Sequence, residues 1–292
     1  CVSAADVSDN NGTSHTIQKD TSQSTYTIQS TSNSNNTISN THNIKTSVNK
    51  KENIKTSNNK ITKKSTNKTL KKSSYTITSD NYNLYFKYNK TQNKTKSTNL
   101  VQAGDTIDLQ GTFTNMNFSI DKSNITLTST NKNAKLYNCT VNVEGLNSTG
   151  AVIKNLTITN NNYYGSGIYV NKTKNITITN NHIHVWGPFA FALAADQMNN
   201  SRVYDNYFQT SCREDMNRTH TAAAFGLCYY NNIDNNTVVS DQANGIYFSV
   251  YGSGLFQGGY CDYNNVTGNY VTGGDTSWSY TIQIMGTENT IR

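Results

Sequence analysis

The 292 residues include 34% hydrophobic side chains, 18 Gly and one Pro, with a mean hydropathy of -0.67, a composition too polar for one large globular core. No apolar run approaches the roughly 18 residues of a membrane span. The formal charge of +7 is concentrated in residues 1–73, which carry 11 Lys against 4 acidic residues, whereas residues 74–292 balance 14 basic with 14 acidic side chains.

Residues 1–73 consist mainly of Ser, Thr, Asn and Lys, with Tyr26 as the one aromatic residue. Such a segment buries too little apolar surface to offset the entropy of ordering, so the composition predicts a disordered basic tail or spacer. The lysine pairs Lys63-Lys64 and Lys71-Lys72 suit an anionic wall polymer or lipid headgroup. Nucleic acid is not expected, because Arg and interleaved aromatics are missing from the tail. The opening CVSAAD matches the remnant of a removed export signal, with a lipid-bearing Cys1 as the alternative. Either reading places the protein outside the cell, at its surface.

From residue 74 the chain is expected to form one all-β domain, 74–292. An apolar residue, any residue, Asn (or Asp or Gly), two further residues and a second apolar residue recur seven times, beginning at Phe113, Leu136, Ile158, Ile178, Val203, Ile233 and Val266. An eighth copy begins at Ile291, and the steps between the eight starts are 23, 22, 20, 25, 30, 33 and 25 residues, within the period range of solenoids. The third positions, Asn115, Asn138, Asn160, Asn180, Asp205, Asn235 and Gly268, all belong to the residue types that enter the left-handed region at low cost. One such residue turns the chain sharply between two strands. Stacked at about 4.8 Å, the Asn side chains are also expected to bond to their copies above and below as a buried ladder. A further strand is predicted ahead of each later copy, at Gly167–Val170, Ala190–Ala194, Ala224–Cys228, Gly245–Val250 and Tyr280–Met285. Period-two alternation points Ile168, Val170, Phe191, Leu193, Phe225, Leu227, Ile246, Phe248, Ile282 and Ile284 inward, and Tyr169, Ala192, Gly226, Tyr247 and Gln283 outward. Three parallel strands per coil define a right-handed parallel β-helix.

The two longest steps contain insertions, Ser211–Thr221 and Tyr251–Tyr260, predicted to flank one outer strand face. With Trp186 they would wall a groove over Tyr169, Gly226 and Tyr247. Trp186, Tyr169, Tyr247, Arg213, Asp215, Tyr251 and Phe256 are therefore the candidate ligand-binding residues, since aromatic rings stack on sugar faces while polar groups read hydroxyls. If the protein is an enzyme, the same insertion supplies Asp215 or Glu214 as acid/base, with His220 or Arg213 as partner. The predicted strand face itself offers Tyr, Ala, Gly and Gln, without the paired carboxylates that glycoside hydrolysis requires. His182 and His184 alternate on one strand and read as exposed or hydrogen-bonded residues rather than metal ligands. The sequence calls for no metal and no cofactor.

Five cysteines, Cys1, Cys139, Cys212, Cys228 and Cys261, include no CxxC pair. Cys212 and Cys228 flank an insertion, leaving a disulfide and free buried thiols as alternatives. Sixteen Asn-x-Ser/Thr sequons permit glycosylation in an exported protein, of which a minority are expected to be occupied, Asn138 and Asn235 being assigned to buried ladder positions.

SYTITSDNYNLYFKY from Ser74, AGDTIDLQGTFTNMNF from Ala103, NAKLYNCTV from Asn133 and the NLTITNN and NITITNN coils resemble the adhesin-like surface proteins of methanogenic archaea over about residues 74–292. The resemblance implies a pectate-lyase-like β-helix displayed on a cell surface, attachment to glycans or cell-surface polymers, and further domains after the helix. The chain stops at Arg292 inside a coil, which suggests a protein that continues. The alternatives to adhesion are a β-helix polysaccharide lyase or glycoside hydrolase, and a purely structural stalk.

Overall fold

The computed structural model describes residues 72–162, 165–187, 189–211, 221–241, 244–248, 259–273 and 280–292. Three parallel sheets run along the molecule, and within each sheet neighbouring strands are separated in the chain by two strands of the other sheets. The chain therefore coils through sheets one, two and three in turn, as expected for a parallel β-helix. By the general rule for parallel crossovers its sense is right-handed. Sheet one has nine strands, from Ser74–Ile77 to Thr290–Ile291. Sheets two and three have seven each, from Thr112–Thr114 to Tyr270–Thr272 and from Phe118–Ile120 to Ile282–Gln283.

The core is a set of columns. In sheet one, Ile107, Leu127, Ile153, Ile178, Val203, Ile233 and Val266 stack in register, each essentially fully buried, while Ile77 pairs with Leu109 beside them. Sheet two adds Phe113, Leu136, Ile158, Ile183, Phe208 and Val238. Sheet three adds two columns, led by Phe118 and Ile120, in which Phe225 and Phe248 stack with ring centroids 4.6 Å apart. Each residue needs only its own coil and the next to be covered, which explains how so polar a sequence sustains a core. Near the first coils a helical turn, Tyr82–Tyr85, and an antiparallel hairpin, Phe86–Asn89 with Lys94–Ser97, fold in. Tyr82 and Phe86 meet the Phe118 ring edge-on at 5.5 and 5.4 Å.

The repeated Asn motif behaves differently from expectation in two respects. Asn115 and Asn138 end strands of sheet two, whereas Asn180, Asp205, Asn235 and Gly268 end strands of sheet one. The seven copies thus belong to two different corners, and the short 20-residue step marks the change. The sheet-one copy preceding Ile178 is Ile153, whose IKNLTI fits the same pattern and places Asn155 at φ 58°. Six of the seven predicted third positions are left-handed, with φ between 51° and 62°. Asn160 is the exception: it is the last residue of the strand Thr157–Asn160, buried, and its amide donates to the Cys139 and Ser166 carbonyls.

The second correction concerns the ladder. Asn180, Asp205, Asn235 and Gly268 are exposed, and Asn138 is half-buried. The inward amides are those of the residues that follow the turn in sheet one, the buried Asn181, Asn206 and Asn236 and the half-buried Asn269. Asn181 Nδ2 donates to Asn206 Oδ1 at 3.0 Å, Asn206 to Asn236 at 2.9 Å, and Asn236 to Asn269 at 2.9 Å. Each Oδ1 also accepts the backbone N–H of the preceding coil, and each Nδ2 reaches a strand carbonyl such as Ile178 O or Val203 O. A left-handed residue turns its side chain away from the axis, so the next residue is the one that faces in. A matching ladder, Ser201, Asn231, Asn264 and Asn289, lines the corner between sheets three and one.

Candidate functional site

Sheet three departs furthest from regularity. Its strands run from two to nine residues, and the longest, Ser166–Lys174 and Phe191–Asn199, extend well beyond the predicted Gly167–Val170 and Ala190–Ala194. The extra length carries two outward columns side by side. In the first, Asn142, Tyr169, Ala194, Ala224, Tyr247 and Gln283 are in register. In the second, Glu144, Asn171, Asp196 and Gly226 are in register, and Asp121 follows Ile120 as Glu144 follows Val143.

The first column carries an apolar cluster outside the main core. Phe191, Ala194 and Ala224 are buried and pack with the half-buried Tyr169 and Tyr247 in a cluster separate from the main core. The two alanines lie fully covered between the tyrosine positions. Phe191 therefore belongs to this outer cluster rather than to the interior, and Ala192, predicted to face outward, packs in the core instead. The strand advances two residues inward in succession at Ala192 and Leu193, which shifts the alternation by one. Leu227 is also not a core residue, being half-buried at φ 49°. The Tyr169 phenol is pushed up to about 12, chiefly by burial, with the Asp196 and Glu144 carboxylates adding to the rise and a hydrogen bond with Asn171 opposing it. Burial also pushes the Tyr247 phenol up. Both hydroxyls keep their protons across the physiological range and act as hydrogen-bond donors.

The second column places three carboxylates on a face expected to have none. Sequence reasoning did not place them on this face because the predicted strands ended short of Asn171 and Asp196, and because Asp121 and Glu144 lie on coils to which no third strand was assigned. Asp196 is 3% exposed and accepts from Gln197 Nε2 at 3.2 Å. At the other end the hairpin supplies counter-charges: Lys94 Nζ lies 2.5 Å from Glu144 Oε2, and Lys96 Nζ 3.8 Å from Asp121 Oδ2. These groups, with Asn147, Asn171 and Lys172, line an open cleft of about 610 Å³.

The predicted site residues divide into two sets. Tyr169 and Tyr247 come together on one face. Trp186 is half-buried at the end of the sheet-two strand His182–Val185, with its ring 4.9 Å from the His184 ring and its backbone N–H donating to the Asn160 carbonyl at 3.0 Å. Arg213, Glu214, Asp215, His220, Tyr251 and Phe256 lie outside the described residues, as does Cys212. Cys139, Cys228 and Cys261 are buried and form no disulfide among the described residues. His182 stacks on Tyr207 at 4.5 Å, and His184 Nε2 meets Ser211 Oγ at 2.8 Å, so both act as wall residues. Among the described residues, no helix is long and apolar enough to cross a membrane.

Comparison of the chain with protein-family profiles, with curated proteins and with solved structures yields no match.

Proposed function

We propose that the protein is an exported, cell-surface adhesin of the β-helix type that holds a glycan along the outer face of sheet three. The observation that carries this reading is the outer apolar cluster of sheet three, proposed as the base of a sugar-binding trough. Two half-buried tyrosines with protonated hydroxyls stand on either side of two covered alanines, beside a column of amide and carboxylate groups. Apolar sugar faces fit the rings, and sugar hydroxyls fit the Asn171 and Asp196 edge. Trp186, Arg213, Asp215, Tyr251 and Phe256 are proposed to complete the walls. The lysine-rich segment 1–73 is proposed to tether or space the helix, with an anionic wall polymer as its partner. The resemblance of the NLTITNN-type coils to archaeal adhesin-like proteins supports surface display.

A second reading, a polysaccharide-cleaving enzyme, rests on one observation: Glu144 and Asp196 occupy the same column two coils apart. That corresponds to about 10 Å between backbones, near the carboxylate separation of inverting glycosidases. The Lys94 pairing of Glu144 and the burial of Asp196 weigh against it, since a general acid must reach the glycosidic oxygen.

A glycan array on the whole chain, coupled to reducing-end and unsaturated-product assays, separates the two. Binding lost in Tyr169→Ala or Tyr247→Ala with no product from the parent chain supports adhesion. Turnover abolished by Asp196→Asn replaces it with the enzyme, and no glycan bound at all leaves the structural stalk.

A further inference from the structure

The corner between sheets three and one carries a second feature that the trough does not explain. Every coil passes this corner through a left-handed residue, in chain order Asn124, Gly150, Asn175, Asn200, Tyr230, Tyr263 and Glu288. The first four are residue types that adopt this conformation readily. Tyrosine is not, and a bulky side chain at positive φ is an outlier, yet Tyr230 and Tyr263 both sit at φ 59°. The turn needs the backbone conformation, which Asn supplies elsewhere at the same corner with less strain.

Nor does the core use these rings. Tyr230 is 57% exposed and Tyr263 43% exposed, and the two stack on each other, centroids 4.9 Å apart and planes 7° from parallel. Tyr263 covers one face of Tyr230. The opposite face looks toward the preceding coil, where the shorter Asn200 leaves it open, and the exposed amides of Asn200 and Asn175 continue the column. On the other side, the Glu288 carboxylate first and Tyr230 second push the Tyr263 phenol up, with burial and Asp262 adding less, which places negative charge beside the stack. Asp262 is held in place by the Thr287 N–H and hydroxyl at 2.6 and 3.3 Å.

We infer that Tyr230, backed by Tyr263 and fronted by the Asn200 and Asn175 amides, is a second stacking platform, for a neutral sugar unit. The ring offers an apolar sugar face a flat partner, the amides supply donors and acceptors for equatorial hydroxyls, and the two carboxylates disfavour a uronate or sulfated unit. The inference takes only its class of ligand from the function proposed above, and it concerns a different surface.

The test uses the whole chain against immobilised cellohexaose, xylohexaose, mannohexaose and chitohexaose, with choline as a cationic competitor and thermal unfolding in parallel. Tyr230→Asn with Tyr263→Asn installs the residue used at neighbouring turns. It is expected to leave the melting temperature unchanged or raised and to weaken at least one neutral oligosaccharide about tenfold, the loss of one ring contact. Asn200→Tyr, which covers the open ring face while keeping both tyrosines, is expected to weaken the same ligand. Tyr169→Ala with Tyr247→Ala reads the sheet-three trough separately. Unchanged affinity for all four oligosaccharides in both corner variants overturns the inference while leaving the trough untouched, and displacement of the sugar by choline overturns it in favour of a cation site. Binding lost in the corner variants but kept in the trough variant upholds it and removes the sheet-three site.

Discussion

The corner between sheets one and two and the outer face of sheet three belong to the same coils and obey opposite rules. At the corner, residues of one kind recur coil after coil, with Asn181, Asn206, Asn236 and Asn269 making the same bonds at 2.9 to 3.0 Å. On the face, Asn142, Tyr169, Ala194, Ala224, Tyr247 and Gln283 occupy one column with almost no repetition. Where a position serves the fold, its neighbours above and below need the same chemistry. Where it meets something outside the protein, each coil is free to differ. Uniform columns therefore mark architecture in this molecule, and the varied one marks the face proposed to meet a ligand.

The sharpest way to break that contrast is to interrupt the ladder. Asn206→Ala removes donors to the Ile178 and Tyr204 carbonyls and to Asn236, and strands the Asn181 N–H. A loss of about 3 kcal/mol is expected from several buried groups left unpaired, read by chemical denaturation. A loss below about 0.5 kcal/mol would deny the ladder its structural role. Next is Gly167→Ala in sheet three, where a Cβ would stand 2.3 Å from Ile183 Cγ2 and 2.8 Å from the Ala192 carbonyl. Overpacking of this kind costs about 1 to 3 kcal/mol, and an unchanged midpoint would show that the long strand can shift to accept it. Asn180→Ala, at φ 55° but exposed, is expected to cost about 1 to 2 kcal/mol from the turn alone. The ratio of Asn206→Ala to Asn180→Ala thus measures the division between turning and bridging.

Smaller effects come from the outer walls. Arg202 makes a two-point pair with Asp234 at 2.8 and 3.2 Å and lies 4.1 Å over Tyr204. It is more than half exposed, so Arg202→Ala is expected to change stability by less than about 1 kcal/mol, and less again in high salt. The His184 imidazole is held below its ordinary value, first by burial, with Asp241 opposing and His182 assisting. The unfolded chain therefore takes up the proton first. Stability present above the unfolded value of about 6.5 falls as pH drops through that value toward the folded one, and levels off below it. His184→Gln should flatten that part of the pH profile in thermal unfolding, and an unaltered profile would assign the slope elsewhere.

Much of the fold was legible because a coil has to repeat its turning residue, and Asn is conspicuous in an apolar frame. The register was less legible, because the motif fits both Ile153 and Ile158 in the stretch VIKNLTITN, and only pairing tells which corner each Asn serves. The separation of turning from bridging was also hidden: Asn-Asn at 180–181 and 235–236 presents the same letter twice, while Asp205-Asn206 and Gly268-Asn269 give the distinction away. Of the site, Tyr169 and Tyr247 followed from alternation. Glu144 and Asp196 did not, since nothing local signals that a strand will run nine residues rather than four. The slip in alternation at Ala192 and Leu193 likewise depends on what the neighbouring coils allow.

The amide ladder also bears on how the molecule responds to load. Each rung of amides points its donors to the next coil, so adjacent coils are indexed to one another like teeth on a rack. Sliding one coil by a single residue would open every bond of that index at once. Tension along the axis therefore favours peeling from an end, one coil after another, over slippage in the middle. A β-helix built this way yields in steps of one coil while the coils still wound keep their amide ladder.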